Sequence, residues 1–228
     1  MINTLKIAII ILLFTGCSDS DNNHMSYWLW KLSDLKYVPA KAHLLIYQGD
    51  YRLPGPHSVF VPRGPSPGNL FKRHNVSILI RVYSLSDPDI LAHSIQAIVE
   101  EWNFYGIPVT EIQIDYDSPS FKLTQYAEFL KQLRRATVFD NTGLSITGLV
   151  TWLSDNFNGT KKLAVHVDYI AYQLYNKYHP LADIELYYPS IYAIDYPYKT
   201  GITTSERFNN RELPINGFYK GSITFLNR

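Results

Sequence analysis

The sequence has few of the features that mark several common protein classes. Its 228 residues include a single cysteine, Cys17, which excludes a disulfide framework and any zinc site built from cysteines. Lys and Arg (21) nearly balance Asp and Glu (20), so no nucleic-acid partner is expected. Hydrophobic residues make up 46% of the chain, too many for intrinsic disorder. What remains is a neutral globular protein, long enough for one large core.

Motifs for metal, cofactor and nucleophile chemistry are also missing. No HExxH or similar spacing links the seven histidines, so no metal site is expected. The chain has neither a GxGxxG fingerprint nor a P-loop, and no cofactor is expected. Because GxSxG is absent as well, a serine nucleophile elbow is not expected.

The N-terminal residues have the composition of a secretory signal. Lys6 is followed by an unbroken apolar run from Ile7 to Phe14, which is too short to span a bilayer as a helix. The run ends in Phe-Thr-Gly-Cys, which resembles the lipobox of bacterial lipoproteins. That resemblance implies that Cys17 carries a lipid and becomes the mature N-terminus. A plain secretory signal with an incidental cysteine is the alternative.

This pattern predicts the organisation and location of the chain. We expect a signal peptide over residues 1–16, a polar tether over 17–25 and one domain over 26–228. The membrane is then a partner through the lipid anchor on Cys17. The expected location is the bacterial cell envelope, facing the periplasm, and Ser18 after the cysteine favours the outer membrane.

Eight runs rich in β-branched and aromatic residues are typical of strands. They cover residues 27–31, 43–48, 76–83, 110–116, 144–150, 169–174, 198–203 and 222–226. Helical spacing of apolar residues appears over 91–102 and 123–133, with weaker helices over 184–193 and before Val167. Strands that alternate with helices indicate parallel pairing, and eight of them predict an α/β fold, a compact (β/α)8 TIM-like barrel with some crossovers made by loops. An open doubly wound sheet is the alternative.

One strand carries the candidate chemistry. Glu111, Gln113, Asp115 and Asp117 alternate with apolar residues and so share one face of the strand. In a barrel that face points inward, and Asp117 reaches the C-terminal end, where active sites of this fold lie. Two close acids push their pKa values apart, which suits acid–base catalysis of glycoside hydrolysis. Asp115 and Asp117 are therefore the candidate catalytic residues.

A purely structural interpretation of the two acids is also open. Asp117 would accept backbone N–H bonds at the Asp-Ser-Pro turn, and Asp115 would pair with Arg81 of the neighbouring strand.

Other polar and aromatic residues at predicted strand ends are candidates for substrate binding, because aromatic faces stack on sugar rings and Arg and Gln bind hydroxyls. The candidates are Gln48, Arg81, Tyr83, Gln113, Trp152 and Gln173. Trp30 is also at a strand end, but barrel filling explains it better. Lys199 suggests a Schiff-base lyase as a third, weaker hypothesis.

Several stretches resemble a known family. Gln113-Ile114-Asp115-Tyr116-Asp117-Ser118-Pro119 and Leu144-Ser145-Ile146-Thr147-Gly148-Leu149 are similar to domain of unknown function family 3142, a family of bacterial lipoproteins. Shorter matches extend the resemblance from about Tyr27 to the C-terminus. The family implies a TIM-like barrel and supplies no activity.

A more distant likeness is to family 18 glycoside hydrolases. Their fourth strand carries acids at alternating positions and ends in a catalytic Glu, whereas here the series begins with Gln113 and ends with Asp117. Ala171-Tyr172-Gln173 is similar to a Met-any-Tyr-Asp stretch on their sixth strand, with Gln in place of Asp. The resemblance implies a barrel whose mouth binds a glycan.

The sequence therefore supports two functions. The first is an envelope-anchored barrel protein that binds, and hydrolyses, a glycan or other small polar ligand through paired aspartates. The alternative is a non-catalytic lipoprotein that binds a carbohydrate or a protein at the same mouth.

Overall fold

A computed structural model describes residues 25–52, 58–177, 179–204, 213 and 215–226 of the chain. The strands of this part are β1 (Ser26–Leu29), β2 (His43–Arg52), β3 (Val59–Pro62), β4 (Asn75–Val82), β5 (Val109–Asp115), β6 (Gly143–Leu149), β7 (Ile170–Gln173), β8 (Tyr175–Asn176), β9 (His179–Pro180), β10 (Tyr198–Thr203) and β11 (Tyr219–Phe225). Its α-helices are α1 (Pro88–Phe104), α2 (Leu123–Leu133), α3 (Thr151–Asp155), α4 (Phe157–Ala164) and α5 (Tyr188–Tyr192).

Eight of these strands form a closed parallel barrel. Their order around the barrel is β1, β2, β4, β5, β6, β7, β10 and β11, and β11 pairs with β1 to close the ring. Strand β3 is antiparallel to β2, and β8 and β9 form a separate two-stranded sheet after β7. The architecture is the predicted TIM-like barrel, and because the first and last strands are hydrogen-bonded, the open doubly wound alternative is wrong.

Helices cover only part of the barrel. The strand pairs β4–β5 and β5–β6 are joined through α1 and α2, whereas the connection from β1 to β2 holds only a short 3₁₀ helix, Leu32–Tyr37. Pro88 occupies the first turn of α1, and Gly106 follows its end with a positive φ of 72°. The helical segments predicted over 91–102 and 123–133 lie within α1 and α2, and their apolar faces are buried against the strands.

Side chains of the barrel strands alternate between two cores. The outer core lies between sheet and helices and includes Ile112 and Ile114 of β5. The inner core fills the barrel and includes Trp28, Leu79 and Ile223. The polar residues of β5 therefore point into the barrel, as the alternation predicts.

Strand β2 contains a bulge that interrupts this alternation. Tyr47 pairs with Leu79 and Gly49 pairs with Ile80, so Gln48 is an extra residue in the strand. A side chain at Gly49 would put its Cβ 2.3 Å from the carbonyl oxygen of Val61, so β3 can pack here only against glycine.

The predicted signal peptide, residues 1–16, lies outside the described residues, as does the predicted tether up to residue 24. Among the helices that are described, none has the length and apolar character needed to cross a membrane.

Candidate functional site

A cavity of about 1040 Å³ opens at the C-terminal ends of the barrel strands. Its walls combine aromatic, acidic and basic side chains. The lining residues are Trp28, Trp30, Lys31, Asp34, Leu79, Arg81, Asp115, Asp117, Thr147, Leu149, Gln173, Tyr175, Asn176, Lys177, Phe225 and Leu226. This end of the barrel is the one at which active sites of the fold lie.

Asp115, the last residue of β5, is held by its two neighbouring strands. The Arg81 Nε of β4 donates to Oδ2 at 2.9 Å, and the Thr147 Oγ1 of β6 donates to Oδ1 at 2.7 Å. The carboxylate is 2% exposed, so these two donors compensate for its loss of water. Burial lowers the pKa of Arg81, but the charge and hydrogen bond of Asp115, together with Tyr83, outweigh burial and hold that pKa above its ordinary value.

Asp117 lies two residues beyond Asp115 and differs from it in exposure and in hydrogen bonding. Its side chain is exposed to the cavity, and it makes no hydrogen bond or ion pair with any described residue. Desolvation by the cavity walls raises the pKa of Asp117, and the nearby charge of Asp115 raises it further, while Arg81 lowers it. The site thus combines a fixed, compensated carboxylate with a free carboxyl group whose pKa is raised above the ordinary aspartate value.

One wall of the cavity is an aromatic platform built on β1 and β2. The Trp30 ring stacks on the Tyr47 ring with a centroid separation of 4.6 Å, and the Arg81 guanidinium lies 4.6 Å from the Trp30 ring centroid. Tyr47 donates from its hydroxyl to Asp50 Oδ1 at 2.6 Å, which fixes the ring beneath Trp30. Burial and this hydrogen bond raise the pKa of Tyr47.

The second aromatic pair consists of Tyr175 of β8 and Phe225 of β11. Their rings are nearly parallel, with an interplanar angle of 11° and centroids 5.6 Å apart. Trp28 meets Tyr175 edge to face at 6.3 Å. The site therefore offers flat apolar surfaces as well as polar groups, the combination that stacks on a ring and hydrogen-bonds its substituents.

The structure brings four of the eight predicted site residues to the cavity: Asp115, Asp117, Arg81 and Gln173. The predicted Arg81–Asp115 pair of the structural interpretation is present. Asp117 accepts no backbone N–H bond among the described residues, contrary to that interpretation.

Gln113 does not line the cavity but lies below it, fully buried. It accepts from Trp28 Nε1 at 2.5 Å and donates to Ser145 Oγ at 3.0 Å. Its amide is used within the barrel, so its predicted role in binding substrate is corrected to one of supporting the floor of the cavity.

The placement of Gln48 and Trp152 contradicts their predicted roles. Gln48 follows Leu44 and Ile46 on the outward face of β2, where it accepts from Trp102 Nε1 at 3.1 Å and donates to the Pro65 carbonyl at 2.9 Å. Trp152 follows β6 but turns into the helix layer, is 0% exposed, and donates to the Ser118 carbonyl at 2.8 Å. Trp152 thus fixes the turn that follows Asp117 rather than contacting the cavity.

Two further candidates lie away from the cavity walls. Tyr83 is exposed at the rim, where the Arg52 guanidinium lies 5.5 Å from its ring centroid. Lys199 stands at the start of β10, at the opposite end of the barrel, 4.2 Å from the centroid of the Tyr169 ring. Burial lowers the pKa of Lys199, but the Lys199 amine does not line the cavity at the mouth.

Sequence reasoning missed Tyr175 and Phe225 and gave Trp30 too little weight. Tyr175 and Phe225 are 50 residues apart in sequence and meet only because β7 and β11 both flank β10. No local pattern signals such a pair.

These features define the class: a TIM-like barrel with an acidic and aromatic mouth. Residues 76–186 match the family model described as "Domain of unknown function (DUF3142)", which confirms the resemblance seen in the sequence over the segment that contains β5 and β6. No curated protein sequence matches the chain.

Two solved structures are similar in fold. The spore cortex-lytic enzyme SleL of Bacillus megaterium QM B1551 is 14% identical with a TM-score of 0.54, over 80% of this chain and 51% of that one. A GH18 chitinase from Pseudoalteromonas aurantia is 14% identical with a TM-score of 0.47, over 66% of this chain and 70% of that one. This chain therefore spans about half the length of SleL.

Proposed function

We propose that the protein binds a glycan in the mouth cavity and cleaves a glycosidic bond there with Asp117 as general acid. The observation that carries the proposal is the free carboxyl of Asp117, with its raised pKa, beside the fixed Arg81–Asp115 pair in one cavity. The fold similarity to a spore cortex-lytic enzyme is consistent with a glycan ligand.

The chemistry of the walls suits a sugar chain. Flat apolar faces at Trp30 and Tyr175 stack on pyranose rings, and Gln173 and Arg81 donate to hydroxyl oxygens. The volume of about 1040 Å³ lies at the upper end of small-ligand sites, as expected for a ligand of more than one ring.

The two acids take different roles in this mechanism. Asp117, which retains its proton to a higher pH than an ordinary aspartate, donates it to the glycosidic oxygen as the bond breaks. The Asp115 carboxylate stabilises the positive charge that develops on the sugar ring. A water molecule from the cavity then adds to the anomeric carbon and gives its proton to the Asp117 carboxylate, which restores the acid. Because Arg81 and Thr147 engage both of its oxygens, Asp115 acts through its charge and not as a nucleophile.

Hydrolysis of soluble polysaccharide fragments tests this assignment. Wild-type protein should release reducing ends, with a rate that falls as pH rises above the pKa of Asp117. Asp117→Asn should remove turnover and leave binding intact, whereas Asp140→Asn, at an exposed aspartate remote from the mouth, should change neither. Full activity of a folded Asp117→Asn protein would reject the mechanism.

A non-catalytic binding protein is the second candidate. The hydrogen bonds to both oxygens of Asp115 favour it, since they leave Asp117 as the one carboxyl of the pair without a partner among the described residues. Titration calorimetry would then record glycan binding that Trp30→Ala weakens, with no product from any fragment.

We also propose that the mature chain is attached through Cys17 to a membrane of the cell envelope, facing the periplasm. The sequence pattern before Cys17 supports this location. Mass spectrometry of the processed N-terminus should find a lipidated cysteine, and Cys17→Ser should move the protein into the soluble fraction.

A further inference from the structure

The end of the barrel opposite the mouth carries an unusual set of exposed apolar side chains. All eight barrel strands are parallel, so the segments that precede them lie together at the N-terminal face of the barrel. Six of these segments present a large exposed apolar residue within six positions of the strand: Met25, Leu70, Phe104, Val165, Tyr192 and Phe218. Phe104 is 85% exposed, and contact of so much apolar surface with water is unfavourable in free energy.

The same face carries more basic than acidic side chains, its exposed acids including Asp140 before β6 and Asp195 before β10, which is paired with Lys161. Of the two remaining strands, β2 is preceded by the exposed Lys41 and β6 by Arg134 and Arg135. Lys72 and Arg73 precede β4 beside Leu70 and are exposed as well. Apolar side chains interspersed with Lys and Arg are the pattern of surfaces that rest on anionic lipid.

A shallow depression of about 200 Å³ lies on this face between α2 and the segment before β7. Lys131, Arg134, Arg135 and His166 line it, and the exposed Val165 stands at its edge. Arg134 is paired with Asp168 at 3.1 Å and Lys131 with Glu128 at 3.2 Å, and Arg135 adds a further positive charge. The remaining positive charge suits a phosphate-bearing headgroup.

The chain that precedes the described residues reaches the barrel at this face. Met25 lies directly before β1, and its carbonyl accepts from the His43 backbone N–H at 3.1 Å. Cys17 is eight residues before Met25, and a fully extended chain of eight residues spans at most about 28 Å. A lipid on Cys17 would therefore hold this face, and not the mouth, near the bilayer.

We propose that the N-terminal face of the barrel docks on an anionic lipid bilayer, with the apolar side chains inserted at the level of the headgroups and the mouth directed away from the membrane. The proposal rests on the lipid anchoring proposed above. In this orientation the mouth meets glycans at the far side of the domain.

Label quenching in vesicles tests the orientation on the full, processed chain. Because Cys17 is the only cysteine and its thiol is occupied by the lipid, a single introduced cysteine takes an environment-sensitive fluorophore specifically. Phe104→Cys places the label on the N-terminal face, and Phe121→Cys places it beside the mouth at a phenylalanine of similar exposure, 79%. The vesicles contain phosphatidylcholine and phosphatidylglycerol, with spin-labelled lipid as quencher.

The label at position 104 should lose about half of its fluorescence and the label at position 121 almost none. Lys72→Glu should reduce the quenching at 104, whereas Lys122→Glu, at an exposed lysine of the mouth end, should not. Equal quenching of the two labels would overturn the proposal. Absence of quenching at both positions, in protein that floats with the vesicles, would overturn it as well and would indicate a loose tether or a protein partner at this face. Glycan binding by the same preparations is scored separately, so failure of the orientation is distinguishable from failure of the proposed function.

Discussion

Removing Arg81 should destabilise the protein by a measurable and specific amount. Asp115 is 2% exposed and receives two hydrogen bonds from the described residues, one of them from Arg81. Breaking a buried ion pair from one side costs about 3–5 kcal/mol. The Arg81 side chain is 38% exposed, so water reaches the vacated position and reduces the loss to about 2 kcal/mol. For a chain of this size, that loss lowers the melting temperature by about 6 °C.

A double-mutant cycle separates this pair from general effects of substitution. Arg81→Met should lose the full amount, whereas adding Asp115→Asn should restore about half of it, because a buried amide needs no cation. Arg135→Met, at an exposed arginine, should stay within about 0.5 kcal/mol of the wild type. The Asp115→Asn single variant completes the cycle, and urea unfolding followed by circular dichroism measures the free energies of all five proteins. An Arg81→Met protein as stable as the wild type would refute the claim that Arg81 compensates the charge of Asp115.

Three further outcomes follow from the site. The pKa of Asp117 is raised in the folded state, so ionisation of this group destabilises the fold as pH rises through that pKa. Asp117→Asn should therefore melt at a higher temperature than the wild type at neutral pH. Scanning calorimetry should show that this difference disappears below the ordinary aspartate pKa of 3.8. Trp152→Ala should lose about 3–5 kcal/mol of stability with unchanged glycan affinity of the folded protein, and a loss of affinity at wild-type stability would contradict the buried position of the indole. Trp30→Ala should weaken glycan binding about tenfold in titration calorimetry. An equal loss in Phe121→Ala, which lies outside the cavity, would contradict a specific contact between Trp30 and the glycan.

The barrel could be predicted from the sequence because each strand carries its own local signal. The run of Val, Ile and Leu in β4 and the alternation of Ile112 and Ile114 with polar residues in β5 indicate strands whatever surrounds them. The inward direction of Asp115 follows from the same alternation, and its partner Arg81 lies directly opposite on the neighbouring strand.

The rest of the site depends on geometry that no single segment contains. One extra residue in β2 reverses the direction of the residues after it, so that Tyr51 joins the outer core, and the sequence does not distinguish a bulge from a regular strand. Trp152 stands just past a strand end, where the turn of the chain decides between cavity and helix layer. Tyr175 and Phe225 form a wall only after the barrel closes.

The central claim is that the mouth is a glycan site in which Asp117 supplies the proton. The most direct test measures binding and turnover of the same polysaccharide fragment by wild-type and Asp117→Asn proteins, under identical conditions. The account predicts equal affinities and product from the wild type alone. Equal rates of product release by the two proteins, or a fragment library that neither protein binds, would contradict it.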